Sequence, residues 1–231
     1  MDVVAPAPDK LKIVNHTQYQ TADHLTPTTA PSSPFELFRA WLTSVQGVVP
    51  EAEAMSLSTA TASGVPSSRF VLLKEVDKRG FVFYTNYSSR KGQELSDNPY
   101  AALAWYWKEV HKQIRVVGRV ERVSREESEE YFKSRPIGSR VGAWASEQSK
   151  AVTDERLAAR YKEFEAKFGV DLSKGEGDVP LPDHWGGYRV LPDEIEFWAG
   201  KPSRLHDRIR YVRIPGSSDD APEWKIERLA P

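Results

Sequence analysis

The chain contains no cysteine. That absence removes disulfides, thiolate zinc sites, iron–sulfur clusters and thiol redox chemistry together. Any redox activity in these 231 residues must therefore borrow a cofactor. No stretch approaches the roughly 20 apolar residues of a membrane span. A basic-then-apolar signal pattern is missing, and Asp2 and Asp9 argue against a transit peptide. The expected location is the cytoplasm. Net charge is −1, so no overall field draws the protein to nucleic acid or an anionic membrane. Anion binding must come from local clustering of its 32 Lys and Arg residues.

Common site motifs are also missing. Gly175-x-Gly177 lacks the third glycine of a dinucleotide loop, and there is no Walker loop. His16, His24, His111, His184 and His206 are scattered without metal-ligand spacing, so no metal is expected. Gly-x-Ser-x-Gly is absent, which removes the anchor of a serine hydrolase.

What is present is foldable: 39% hydrophobic and 11% aromatic residues can bury a real core. Residues 1–32, rich in Pro, Thr, Ala and Ser, are expected to be a mobile tail that can hold short ordered pieces. Residues 33–231 are expected to form one folded unit. It opens on a helix with Ser33 and Glu36 as a capping box and Pro34 in the first position. Phe35, Phe38, Trp41, Leu42 and Val45 share one face of that helix. Strand patterns follow at 55–59, 68–76 and 81–85, then at 100–107 and 112–123. Helices are expected near 89–96, from Ser124 to a break at Arg135-Pro136, and over 153–168. Further strands are expected near 186–191, 194–199, 206–213 and 224–229. About seven or eight hairpin-linked strands with peripheral helices predict a mainly β, antiparallel barrel and not βαβ units.

Several groups could carry chemistry. In Arg69-Phe70-Val71-Leu72-Leu73-Lys74, alternation sets Arg69, Val71 and Leu73 on one face and Lys74 on the other. Such a strand either delivers charge to a buried anion or merely has solvated ends. Tyr84-Thr85 through Ser89-Arg90-Lys91 joins a strand end to a helix start, where free N–H groups favour phosphate. An ordinary capped helix with exposed cations is the alternative. Gln113, polar in an apolar-alternating strand, meets either an amide-like ligand edge or solvent. Tyr131 and Arg135, one turn apart, with Ser139, Gln148 and Ser149, suit a phosphorylated aromatic ligand or a plain surface helix. Strand alternation would put Arg204, His206 and Arg208 on one face near Trp198, with the cations favouring a neutral imidazole. A charged outer strand face is the alternative there.

Taken in order, these motifs resemble the pyridoxine 5′-phosphate oxidase family from about Pro34 to Pro231: RFVLLK, FYTNYSSRKGQEL, Gln113, Tyr131 with SRPIGSRVG, Gln148-Ser149, and IEFW…RLHDR. The resemblance implies a split barrel that binds flavin mononucleotide (FMN), with sites at the interface of a homodimer. It implies flavin contacts at Arg69, Val71, Leu72, Tyr84, Thr85, Ser89, Arg90, Lys91, Gln113, Gln148, Ser149, Trp198 and Arg208. It implies substrate contacts at Lys74, Tyr131, Arg135, Ser139, Arg204 and His206, with Arg204 and His206 at the reacting group. The implied reaction oxidises pyridoxine or pyridoxamine 5′-phosphate to pyridoxal 5′-phosphate, with oxygen as acceptor and hydrogen peroxide as product. Ala199, Lys112 and Val117 depart from the family's usual residues without removing an implied contact. The competing readings are another split-barrel flavin reductase and a non-catalytic carrier of pyridoxal phosphate.

Overall fold

The computed structural model describes residues 3–7, 10–13 and 18–231. Its elements in chain order are β1 (Val3–Ala7), β2 (Lys10–Ile13), α1 (Pro34–Ser44), β3 (Ala54–Ala60), β4 (Pro66–Leu72), β5 (Glu75–Val76) and β6 (Phe81–Asn86). Then follow α2 (Arg90–Asp97), β7 (Tyr100–Trp107), β8 (Lys112–Arg122), α3 (Arg125–Ser134), α4 (Ile137–Ala145) and α5 (Asp154–Lys167). The chain finishes with β9 (Trp185–Ala199), β10 (Asp207–Arg213) and β11 (Trp224–Arg228).

A nine-stranded antiparallel sheet runs β11-β10-β9-β8-β7-β3-β4, with β6 also on β9 and β5 on β6. The fold is mainly β, as the hairpin-linked strand pattern predicts. The hub is β9, 15 residues long. On one side β8 accompanies it from Tyr188 to Ala199. On the other, β6 pairs with Trp185–Val190 and β10 with Glu194–Ala199. The change of partner falls at a bulge, where Val117 pairs with Glu194 but Gly118 pairs with Pro192. Asp193 is thus the extra residue, and an extra residue bends and twists its strand. Gly118 is required there, since a Cβ would lie 2.0 Å from the Leu191 carbonyl oxygen.

Alternation along β3, β6, β7, β8 and β9 turns Met55, Phe83, Trp105, Ile114 and Phe197 into one core. Helix α1 covers it with Phe35, Phe38 and Trp41; Phe38 meets Trp105 edge-on at 5.2 Å and Trp41 meets Phe197 at 5.3 Å. A second cluster, with Phe132, Ile137, Val141, Leu181 and Trp185, fastens α3 and α4 to the start of β9.

Some expectations need correction. The strands expected at 186–191 and 194–199 are one strand, because the bulge accommodates Pro192 without a donor. The strand expected at 68–76 is interrupted at Leu73 and Lys74, where the chain crosses from β4 to β5. Ser33 starts α1 without a side-chain capping bond, so the capping box is not formed. Ordered packing begins before Ser33. Leu25 is buried, and the Tyr211 hydroxyl donates to the Pro31 carbonyl at 2.7 Å. The hairpin β1–β2 also falls within the expected tail, while residues 1–2, 8–9 and 14–17 lie outside the described residues.

Candidate active site

The end of β6 and the start of α2 build an anion cradle. Ser89 caps α2, its hydroxyl accepting from the Gly92 amide at 3.3 Å. The next residue but one, Lys91, is turned inward and only 8% exposed. Its ammonium donates to Gln148 at 2.9 Å, Thr85 at 3.2 Å and Ser89 at 3.4 Å. All three partners are neutral, so the charge is solvated but not neutralised. Burial, reinforced by nearby Arg69, pulls the Lys91 pKa down to about 8.

Lys91 opens onto a cavity of 310 Å³. From β4 to β6 it is lined by Val71, Leu72, Lys74, Tyr84 and Thr85, with Phe70 exposed. Tyr131, Arg135, Gln148 and Trp185 complete the lining. Tyr84, Tyr131 and Trp185 lie nearly parallel: Tyr84 stacks on Tyr131 at 4.0 Å and on Trp185 at 5.6 Å. Arg135 rests its guanidinium on Trp185 at 4.7 Å. Its Nη1 is buried with no partner among the described residues, and burial holds its pKa below the usual arginine range. A cation so placed is missing an anion. An adjoining cavity of 260 Å³ shares Lys74, Tyr84 and Tyr131 and adds Glu75 and Glu127. Burial, with those two carboxylates, pushes the Tyr84 pKa up to about 12.

Arg69 and Arg90 face elsewhere. Both meet Glu94, which is buried at 5% exposure. The Glu94 carboxylate accepts from Thr59 and Ser67 at 2.5 Å, from Arg90 at 2.9 Å and from Arg69 at 3.5 Å. Arg69 also donates to Thr59 at 2.7 Å, to the Leu57 carbonyl at 3.1 Å and to Ser67. Burial alone would raise the Glu94 pKa, but the hydroxyl and guanidinium donors bring it down to about 2.

A second constellation lies across β8, β9 and β10. Register sets Gln113 beside Trp198 and Trp198 beside Arg208 in one row. With Arg115 and Glu196 these line a cavity of 220 Å³. Buried Glu196 bridges Arg115 at 2.9 Å and Arg208 at 2.6 Å, which raises the Arg208 pKa. Arg208 is further tied to the Ala230 carbonyl at 2.8 Å. His206 packs on Trp198 with ring centroids 4.6 Å apart. Its Nδ1 accepts from the Lys201 amide at 3.0 Å, which leaves the ring proton on Nε2. Burial lowers the His206 pKa, and Arg204 and Arg208 lower it further, so the imidazole is neutral as expected.

The strand expected at 206–213 starts only at Asp207, so alternation does not place Arg204. A tight turn does: Ser203 and Arg204 have φ of 57° and 63°, conformations unusual without glycine and typical of functional sites. Arg204 is therefore aimed by a turn held in the left-handed region.

Most expected residues thus fall in two groups, and the larger cavity and the Gln113–Trp198–Arg208 cavity share no lining residue. Ser139 is exposed and lines neither, and Ser149, with φ of 74°, also lines neither. Residues missed from sequence are Trp185, Glu94, Glu196 and Tyr19. Trp185 precedes Gly186-Gly187, a visible mark of close packing against an aromatic. Glu196 was legible as a charge between apolar Ile195 and Phe197. Tyr19, whose ring meets Trp198 at 5.3 Å and His206 at 5.7 Å, had no local signal. Among the described residues no helix is long and apolar enough to cross a membrane.

The sheet and its cavities define an antiparallel split barrel with buried, unneutralised cations. Residues 43–164 match a family described as pyridoxamine 5′-phosphate oxidase, and residues 185–231 match the pyridoxine 5′-phosphate oxidase C-terminal dimerisation region. The chain belongs to the pyridoxamine 5′-phosphate oxidase family. It is 54% identical over 202 residues to a pyridoxine/pyridoxamine 5′-phosphate oxidase of Burkholderia mallei, covering 86% of this chain and 89% of that one. A protein of the same name from Bordetella avium is 50% identical over 203 residues, covering 87% and 91%. Among solved structures, PhzG from Burkholderia lata, in complex with tetrahydrophenazine-1-carboxylic acid, superposes with a TM-score of 0.81. It is 34% identical, and the match covers 92% of this chain and all of that one. An FMN-binding protein of Nostoc punctiforme shares the fold at 15% identity and a TM-score of 0.67 over 86% of this chain and 98% of that one. The chain is accordingly an oxidoreductase by family.

Glu94 also makes an acid-stability prediction. A carboxylate whose folded pKa lies near 2 stabilises the fold above its ordinary range near 4.5. That contribution fades as pH falls from about 4.5 towards about 2. Denaturant unfolding of Glu94→Gln against the parent, followed from pH 5 downwards, should show a stability gap that narrows with acid.

Proposed function

We propose that the protein oxidises pyridoxine 5′-phosphate and pyridoxamine 5′-phosphate to pyridoxal 5′-phosphate. FMN is its cofactor, oxygen the electron acceptor and hydrogen peroxide the product. The observation that carries this reading is the 310 Å³ cavity lined by buried Lys91 and half-buried Arg135, cations that hydrogen-bond to no carboxylate among the described residues. Cations left in that state fit phosphate groups.

FMN fits the residues present. Lys91, Ser89, Thr85, Gln148 and Ser149 suit its phosphate end, with Arg69 and Arg90 behind them. Tyr84, Val71 and Leu72 offer surface to its body. Gln113, Trp198 and Arg208 offer a polar edge and a ring face to its heterocycle. When bound, the flavin supplies the two-electron acceptor that a cysteine-free chain lacks.

The substrate phosphate is assigned to Lys74, Tyr131, Arg135 and Ser139. A doubly charged phosphate relieves the desolvated Arg135, which Trp185 holds in place from behind. Arg204 orients and polarises the reacting C4′ group, presented by its constrained turn. His206, with its proton on Nε2, donates a hydrogen bond to that group and holds it against Trp198. The alcohol yields the aldehyde directly. The amine consumes one water and releases ammonia.

Because the two constellations share no cavity, we infer that a homodimer assembles each site from both chains. The outer face of the sheet suits such contact, with Ser56, Ser58, Ala102 and Ala104 small and Phe70 and Tyr106 exposed at 78% and 52%.

The direct test is turnover of both phosphorylated substrates by the yellow, flavin-loaded protein, with peroxide measured. A protein that never takes up FMN sinks the reading. A protein that binds FMN but oxidises only a dihydroaromatic acid favours a different flavoenzyme. Arg204→Ala should keep its flavin and lose about a hundredfold in turnover; weaker ligand binding with no turnover in the parent indicates a carrier. Shared sites predict complementation. Arg135→Ala and Arg204→Ala proteins, each nearly inactive, should regain activity when unfolded together and refolded as mixed dimers, and no recovery argues for sites within one chain. The Lys91 charge sets the pH response. Free Lys91 loses its proton near pH 8, so FMN affinity should fall as pH rises through that value. Fluorescence titration of Lys91→Gln should show weaker binding and no such fall.

A further inference from the structure

Glu94 is a full negative charge buried among the cations assigned above to the flavin phosphate. On charge alone it is misplaced, because it opposes an anionic ligand and competes with it for Arg69 and Arg90. Its contacts give the reason for its presence. The carboxylate joins Thr59 on β3, Ser67 on β4 and Arg90 on α2. It also closes the ring of acceptors around Arg69, formed by Leu57, Thr59 and Ser67. Thr59 and Ser67 themselves face each other across the β3–β4 ladder. Without this acceptor, their hydroxyls and Arg69 would be partly buried donors with too few partners. Strand β4 carries Val71 and Leu72 of the large cavity, and the first turn of α2 carries Lys91. A carboxylate that fastens β4 to α2 therefore sets the distance between the cavity wall and the cradle.

We propose that Glu94 is a positioning residue of the cofactor phosphate site. It holds Arg69, Arg90 and the β3–β4 hydroxyls in one array, so that Lys91 and the start of α2 meet the phosphate. The proposal rests on the flavin reading. It assigns Arg69 and Arg90 to building the cradle, and the inward, neutrally solvated Lys91 to touching the ligand.

Glu94→Gln separates positioning from charge, because the amide is nearly isosteric and leaves the site one unit more positive. The full-length protein, stripped of flavin, is titrated with FMN and with riboflavin, and thermal unfolding of each protein is recorded alongside. Positioning predicts FMN binding about tenfold or more weaker, with riboflavin affinity unchanged because riboflavin has no phosphate to place. Simple charge damping predicts tighter FMN binding. A role confined to folding predicts equal loss for the two flavins. Tighter or unchanged FMN binding, or equal loss, overturns the proposal. Should Glu94→Gln fail to fold, Ser67→Ala, which removes one donor to the carboxylate and one acceptor of Arg69, must show the same phosphate-selective loss. Parent protein that binds neither flavin overturns the flavin reading together with this one, whereas a parent that binds FMN isolates the failure to Glu94.

Discussion

Strand β9 cannot keep the same neighbour along one of its edges, and the rest of the structure follows from that. β8 runs beside all but its first three residues, but the opposite edge is shared between β6 and β10. The exchange occurs at the bulge around Gly118 and Asp193, where the extra residue turns the strand. One half of β9 thus belongs to the part of the sheet that carries Tyr84, Thr85 and the α2 cradle. The other half belongs to the row of Gln113, Trp198 and Arg208. A sheet split in this way gives a single chain two separate cavities.

The buried charges divide along the same line between structure and ligand. Glu94, Glu196 and Asp207 are all less than 6% exposed, and each meets at least one guanidinium within hydrogen-bond reach. The partners of these carboxylates replace the water that burial removes. Lys91 and Arg135 hydrogen-bond to or stack on only neutral or aromatic groups among the described residues. The contrast separates cations paired with carboxylates from cations without one, which residue type alone does not. Arg69 sits on the paired side of it and Lys91 on the unpaired side, although both belong to basic motifs of similar appearance. His206 depends on the same arrangement, since burial and then two neighbouring guanidiniums lower its pKa.

Much of this was legible in the chain itself. Period-two alternation located nearly every strand, because a sheet with one buried face demands it. The helix starts at Ser89, Ser124 and Thr153 were visible because a cap is a local contact between residues three apart. Failures came where a local signal was overruled by a neighbour. Residues 186–191 and 194–199 looked like two strands, yet the bulge opposite Gly118 carries one strand through Pro192. Ser33 looked like a capping box, yet its side chain makes no such bond. The segment after residue 18 looked structureless because its order comes from distant partners: Asp207, Lys201 and the Trp198 ring.

By itself the sequence determined the fold class, the family and the basic and aromatic motifs, because these depend on local periodicity and motif order. Only the tertiary structure decided which of those residues share a cavity, since that depends on which edge of β9 each strand occupies. It also decided that Arg204 is aimed by a left-handed turn, and that Arg69 is spoken for by Glu94. Contacts between residues far apart in the chain set charge pairing and orientation, and no local pattern encodes them.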